Sequence, residues 1–410
     1  MAVPETPSSS QPSSPSTAYF DSADSSPCTS PASSTAPTAV AGAGWADMCG
    51  PRTLTQDLVA HGADELRLLH DVRIQVSSTS SAEDESYAQF GKKVADNAPL
   101  RHNRYWFSKM KHVLKEIDDQ TACIPRRGPL RFLDLGCCPG GFTSYILSKN
   151  LAAQGHGISS EIETGGPRFL LEDRHRARFK ISYADLSYYR LGPLPADVAT
   201  KQQTKLKPVA GLPFDTTKRP FDIVLLDGHP LRCAGDPDRL LVSQLIMGLQ
   251  WVKPGGTLII RLADPEQAAT AKLLFMLDGL STRIDTAKPR FVNATRSTFY
   301  VVAQGVGAGV GASCQPILIA KLKELWVDLM IGGVHGAGRA LNEEDLDFVV
   351  TTKELQQPEH LGRIVELSKR VWEVQARALS GDRDPHPRAA AECDVLSEEG
   401  VSVVDHSVVI

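Results

Sequence analysis

Apolar residues recur at helical spacing in the first patterned stretch. Leu54, Leu58, Val59, Leu66 and Leu69 predict a helix over 54–72, and Trp106, Met110, Val113, Leu114 and Ile117 predict another over about 103–118. From residue 130 the apolar runs shorten. Leu130–Leu135, Gln154–Ser159, Phe179–Tyr183, Phe221–Leu226, Gly256–Leu262 and Phe299–Ala303 read as strands, with helices over Gly141–Asn150, 238–251 and Ala268–Leu277. Strand alternating with helix predicts an α/β fold: a parallel sheet with helices on both faces. Residues 191–219, rich in Pro, Lys and Thr, read as a surface loop. A Gly/Ala hinge over 305–312 precedes further helices, among them Ile317–Met330 and His360–Gln375.

The ends read differently. Residues 1–40 hold 12 Ser and 7 Pro, and too little apolar surface to offset the entropy of ordering. The expected organisation is a disordered tail over 1–50, a helical lead-in over 51–120 and an α/β domain over 121–304. A helical extension over 313–380 and a second disordered tail over 381–410 complete it.

Composition narrows the class. Lys and Arg number 44 against 48 Asp and Glu, a net charge of −4 that speaks against a uniformly basic nucleic-acid coat. The first 50 residues contain no Lys or Arg, so neither a secretory signal nor an Arg-rich transit peptide is expected there. No run of 18 apolar residues suggests a membrane span. The eight cysteines form no CxxC pair, and Cys137 and Cys138 are adjacent. Free thiols in a reducing cytoplasm or nucleus are expected, with no metal site.

The sharpest local signal is Asp134-Leu-Gly136-Cys-Cys-Pro139-Gly140-Gly141-Phe142, a glycine loop between strand and helix. It departs from the phosphate-binding pattern, since no Lys-Ser/Thr follows. It resembles the cofactor loop of the FtsJ-like (RrmJ-type) ribose 2′-O-methyltransferases. The resemblance continues through Asp222-Ile-Val-Leu-Leu-Asp227-Gly-His-Pro230, the helix with Ser243-Gln244-Leu245, Lys253-Pro-Gly-Gly256 and Arg296-Ser297-x-Phe299-Tyr300, over about 103–304. It implies a Rossmann-like sheet, S-adenosyl-L-methionine as cofactor, and RNA methylation of the kind met in rRNA processing. It also implies cofactor contacts at Gly136, Pro139, Gly140, Gly141, Phe142, Asp185 and Asp227. Where the family has an acid after the second strand this chain has Ser159-Ser160-Glu161, which leaves Glu161 as its substitute. Asp185 reads equally as a turn or cap residue.

The resemblance further implies a Lys-Asp-Lys-Glu tetrad that removes or steers the proton of a ribose hydroxyl. Of this tetrad Asp227 is retained. Arg261 stands where a lysine is expected, and a guanidinium keeps its proton. Thr298 falls on the glutamate position and Ser108 on the first lysine, with Lys109 and Lys111 nearby. The candidate catalytic set is Asp227, Arg261 as a positioner, and Lys109 as stand-in base.

Residues 101–115 interleave Arg101, Arg104, Lys109, Lys111 and Lys115 with Tyr105, Trp106 and Phe107, a pattern suited to RNA and equally to a solvated helix packed on a sheet. The cluster from Arg168 to Lys180 reads as a solvated amphipathic helix. Two further readings remain beside the enzyme: an FtsJ-like fold that binds RNA or protein without turnover, and a methyltransferase with a changed acceptor.

Overall fold

The computed structural model describes residues 53–79, 100–164, 166–194, 206–229, 236–333, 338–381 and 401–403. The first apolar stripe divides into α1 (Leu54–Ala60) and α2 (Asp64–Thr79). Gly62, at φ 102, makes the break, and Thr53 caps α1 in a reciprocal pair with Gln56. All five apolar residues of the stripe are nevertheless buried. Next come α3 (Leu100–Thr121), β1 (Leu130–Leu135), α4 (Gly141–Lys149), β2 (Ala153–Ser159), β3 (Leu170–Glu172), β4 (Phe179–Tyr183) and β5 (Phe221–Leu226). Then follow α5 (Pro237–Trp251), β6 (Val252–Ala263), α6 (Ala268–Leu280), β7 (Arg283–Ala287) and β8 (Thr298–Val306). The chain closes with α7 (Gln315–Ile331), α8 (Thr352–Leu355), α9 (Pro358–Leu379) and β9 (Val401–Val403).

Seven strands form one sheet in the order β4-β2-β1-β5-β6-β8-β7. The five strands from β4 to β6 pair in parallel, whereas β8 runs antiparallel to both β6 and β7. The expected parallel sheet thus carries an antiparallel edge. Residues 288–297 between β7 and β8 are too few for a helical crossover, so the chain returns as a hairpin. The sequence pattern misses β7 because only Ile284 and Ala287 of its five residues are buried.

Strand alternation sends side chains to two cores. Leu133, Leu135, Val224, Leu226, Leu258 and Ile260 pack under α5, α6 and α7. Phe132, Ile223, Leu225, Ile259, Tyr300 and Val302 pack under α3 and α4. A third cluster joins Leu58, Leu66 and Leu69 of α1 and α2 to Leu361, Ile364 and Trp372 of α9.

The glycines at 305–312 form a packed turn rather than a free hinge. Gly307 and Gly309 donate to Leu280 O (2.8 and 3.2 Å), and Gly311 donates to Gly279 O (2.7 Å). Beyond it α7 lies on α5, where buried Trp326 donates to the Ser243 hydroxyl over 3.1 Å. Residues 401–403, read from sequence as tail, pair antiparallel with β3 as β9. The 1–50 tail and the remainder of 382–410 lie outside the described residues.

Candidate active site

The parallel strands end along one edge of the sheet. On either side of β1 the connections leave in opposite directions, which opens a crevice between the ends of β1 and β5. Gly136 and Asp227 sit at those two ends. The Asp227 N–H donates to Leu135 O over 3.1 Å, and Gly136 N–H donates to Ile158 O over 2.8 Å. Gly136 has φ 88, and a Cβ there would lie 2.4 Å from Gly228 Cα. Two backbones touch at this point, and only glycine fits.

The remainder of the loop faces inward. Pro139 follows a cis bond. Gly140, at φ 110, starts α4 with its would-be Cβ 2.1 Å from Leu170 O. A Cβ on Gly141 would fall 2.5 Å from Phe107 O and 2.6 Å from Lys111 N, so this glycine lets α3 cross over α4. Phe142 is buried with its ring 5.9 Å from that of Tyr300. Gly140 and Gly141 thus seat the loop against β3 and α3, while Gly136 faces the crevice.

Asp227 is 7% exposed and shares one oxygen between two groups. The Tyr300 hydroxyl donates to Oδ1 over 3.1 Å, and Arg261 Nε lies 3.3 Å from the same atom. Arg261 and Tyr300 face each other directly across β6 and β8. Burial opposes the charge on Arg261, but Asp227 and Tyr300 outweigh it and hold the guanidinium above its usual range. Burial and then Asp227 push the Tyr300 hydroxyl well above its usual range. Asp134, buried below the loop, accepts from Thr143 over 2.8 Å. Burial raises its carboxyl to about 7, with the charge of Asp227 adding to the shift and Thr143 opposing it.

The two outer acids lie at the same edge. Asp185, after β4, accepts from Ser187 N (2.8 Å) and from the Ser187 hydroxyl (2.6 Å), so it is the cap of a short 3-10 turn. Glu161, after β2, lies 3.2 Å from Lys207 Nζ in a half-exposed pair. These carboxylates, with Asp134 and Asp227, give the edge hydrogen-bond acceptors and negative charge. That set of acceptors suits a cationic nucleoside with free hydroxyls and an amine better than a polyphosphate.

Neither Lys109 nor Lys111 of α3 bonds to Asp227. Lys109 Nζ sits 3.8 Å above the Phe291 ring and 5.2 Å from the Tyr105 ring. Lys111 pairs with Glu172 at 2.8 Å, and Ser144 donates to the same carboxylate oxygen at 2.8 Å. Burial raises Glu172, but Lys111 and Ser144 more than offset this and leave it below its usual range. Thr298 pairs with Ala263 and offers its carbonyl to Lys288 at 2.6 Å.

Sequence reasoning missed three residues: Tyr300 as the partner of Asp227, Asp134 as a raised carboxyl, and buried Lys288. Lys288 donates to the carbonyls of Asn293 (3.2 Å), Arg296 and Thr298, and burial pulls its ammonium down to about 8. The sequence offered no signal for it, since the strand it follows is itself missed by the apolar pattern. The basic cluster around 168–180 also differs from expectation. Residues 173–178 form a 3-10 turn, and Arg178 donates to the carbonyls of Leu147, Asn150, Leu151 and Ala153. Among the described residues no acid, His or Cys group is arranged to hold a metal ion, and no helix is long and apolar enough to cross a membrane. Cys123, Cys137, Cys138 and Cys314 are free thiols.

A sheet of this order with a glycine loop after β1 and an acid after β5 defines a Rossmann-like methyltransferase fold. The family model for FtsJ-like methyltransferases matches residues 108–306. No curated protein matches. Among solved structures, one from Plasmodium falciparum described as a ribosomal RNA methyltransferase aligns at 19% identity, over 49% of this chain and 98% of that one, with TM-score 0.32. Phosphoethanolamine N-methyltransferase 1 of Haemonchus contortus, solved with phosphoethanolamine and S-adenosylhomocysteine, aligns at 11% identity, over 61% and 55%, with TM-score 0.33. An rRNA methylase of Streptococcus thermophilus aligns at 11% identity, over 46% and 93%, with TM-score 0.28.

Proposed function

We propose that the protein is an S-adenosyl-L-methionine-dependent methyltransferase that acts on an RNA ribose 2′-hydroxyl. The observation that carries this is the position of Asp227, with the glycine loop on one side and the Arg261–Tyr300 pair on the other. Gly136 with Asp134 and Asp227 would hold the sulfonium end of the cofactor, Glu161 the ribose hydroxyls and Asp185 the adenine. The cofactor supplies an electrophilic methyl group. Everything else falls to the chain. Among the described residues no hydrogen bond reaches Asp227 Oδ2, which leaves that oxygen to receive the proton of an acceptor hydroxyl. Arg261 keeps its own proton and fixes the carboxylate in place. Tyr300 holds the other side of the same oxygen.

Titration calorimetry with S-adenosyl-L-methionine is the first test, and no binding at millimolar cofactor would overturn the reading. Labelled methyl transfer to RNA that disappears in Asp227→Ala would support it. One observation favours a second reading, a fold that binds RNA or protein without turnover: Lys109, the stand-in base, spends its ammonium on Phe291. Cofactor binding without transfer to any RNA would support that alternative.

A further inference from the structure

The flanking helices meet the strand that carries Arg261 at a single turn. Arg73 on α2 donates from Nη1 to Glu266 Oε1 (2.7 Å), and from Nη2 to Asp264 Oδ1 (3.1 Å) and Gln375 Oε1 (3.4 Å). Trp372 on α9 donates to the other Glu266 oxygen over 2.9 Å. Gln375, also on α9, donates to Thr295 O over 3.2 Å in the loop before β8. Asp264 has φ 46, a left-handed conformation that a non-glycine residue adopts only when its surroundings hold it. Its N–H donates to Ser297 O over 3.3 Å.

The turn closes the β6–β8 ladder. Ala263 pairs with Thr298 at its end, and two pairs further in Arg261 faces Tyr300. A shift of the Asp264 turn therefore moves both groups that hold Asp227. A guanidinium fork binds two carboxylates in fixed directions, which a single ammonium does not.

We propose that Arg73 is a positioning residue for methyl transfer: by gripping Asp264 and Glu266 from α2 it sets the cross-strand pair that presents Asp227. The inference rests on the methyltransferase reading of Asp227. It gives α2 and α9 a role in the reaction without contact with cofactor or acceptor. The charged groups around Asp264 are Arg73 on α2, Glu266 after β6 and Lys288 after β7. Burial and then Glu266 hold the Asp264 carboxyl above its usual range, while Ser297 and Arg73 restrain it. Removing Arg73 raises it further.

The test uses the full chain as Arg73→Gln, Arg73→Lys and the charge-balanced Arg73→Gln/Glu266→Gln. The readouts are hydrogen exchange over 297–301 and the kinetics of methyl transfer. Arg73→Gln is expected to speed exchange over 297–301 and lower kcat about tenfold with the KM for S-adenosyl-L-methionine unchanged, since misplacement of reacting groups costs rate rather than cofactor affinity. Its acid limb moves to higher pH. Arg73→Lys recovers about half of the loss on a logarithmic scale. The double variant, freed of an unpaired buried carboxylate, regains thermal stability but not kcat. Unchanged exchange and kcat in folded Arg73→Gln, beside an active wild type, would overturn the role of Arg73 alone. A wild type that transfers no methyl group to any RNA would overturn the enzymatic reading and the role together, whereas exchange would still show whether the turn is gripped.

Discussion

Asp227 Oδ1 lies between the Tyr300 hydroxyl (3.1 Å) and Arg261 Nε (3.3 Å), two groups that face each other across β6 and β8. The carboxylate is therefore oriented by the sheet itself. On the proposed reading, Asp227→Asn keeps the shape and loses the proton acceptor. Methyl transfer to RNA should fall by about 10²–10⁴-fold with cofactor affinity nearly intact, and Tyr300→Phe, which removes one donor, should lose much less. Radiolabelled transfer paired with calorimetry measures both, and full activity in Asp227→Asn would contradict the role.

Asp134 carries a pH signature. Its folded carboxyl is raised by burial to about 7 from an ordinary 3.8. The stability it contributes is present in full below 3.8 and is lost as pH rises through 7, with a slope of at most about 1.4 kcal/mol per pH unit. Thermal melts of the wild type should fall relative to Asp134→Asn as pH rises from 5 to 8. Parallel curves for the two proteins would show that the carboxyl is not raised.

Lys288 works in the opposite direction at higher pH. Its ammonium falls from 10.5 to about 8 on folding, so below 8 the folded state bears the cost of a buried charge. Between 8 and 10.5 the unfolded chain binds a proton that the folded chain does not, and stability rises with pH in that window. Lys288→Met should lose this rise. It should also be less stable at neutral pH by about 1–3 kcal/mol, because three carbonyls lose their donor. Urea titrations at pH 7.5 and 9.5 measure both effects.

The C-terminal helices should melt with the sheet. Trp326 is fully buried against α5 and bonded to Ser243. Trp326→Ala should cost about 3–5 kcal/mol and leave one cooperative transition. Two separate transitions by circular dichroism and tryptophan fluorescence would instead mark the extension as an independent unit.

Much of the fold was legible because buried parallel strands are nearly continuous apolar runs: β1 and β5 carry the predicted bounds. Asp227 was legible from its place after such a run. Its partner was not, because Arg261 and Tyr300 meet only through the register of β6 against β8. Arg73 and Asp264 lie 191 positions apart and no local pattern joins them. β7 escaped because polar Asp285 and Thr286 interrupt its apolar positions. The capture of Lys109 by Phe291 depends on the path of residues 288–297, which helix periodicity does not specify.

The cluster joining α1 and α2 to α9 brings together the first and last long helices among the described residues. On the ribosome, Leu58, Leu66 and Leu69 emerge long before Leu361, Ile364 and Trp372 exist to cover them. At roughly 5–20 residues per second the wait is on the order of a quarter of a minute to a minute. During synthesis these side chains are exposed apolar surface, open to chaperones or to neighbouring nascent chains. Only once α9 is made is the burial of α1 and α2 complete.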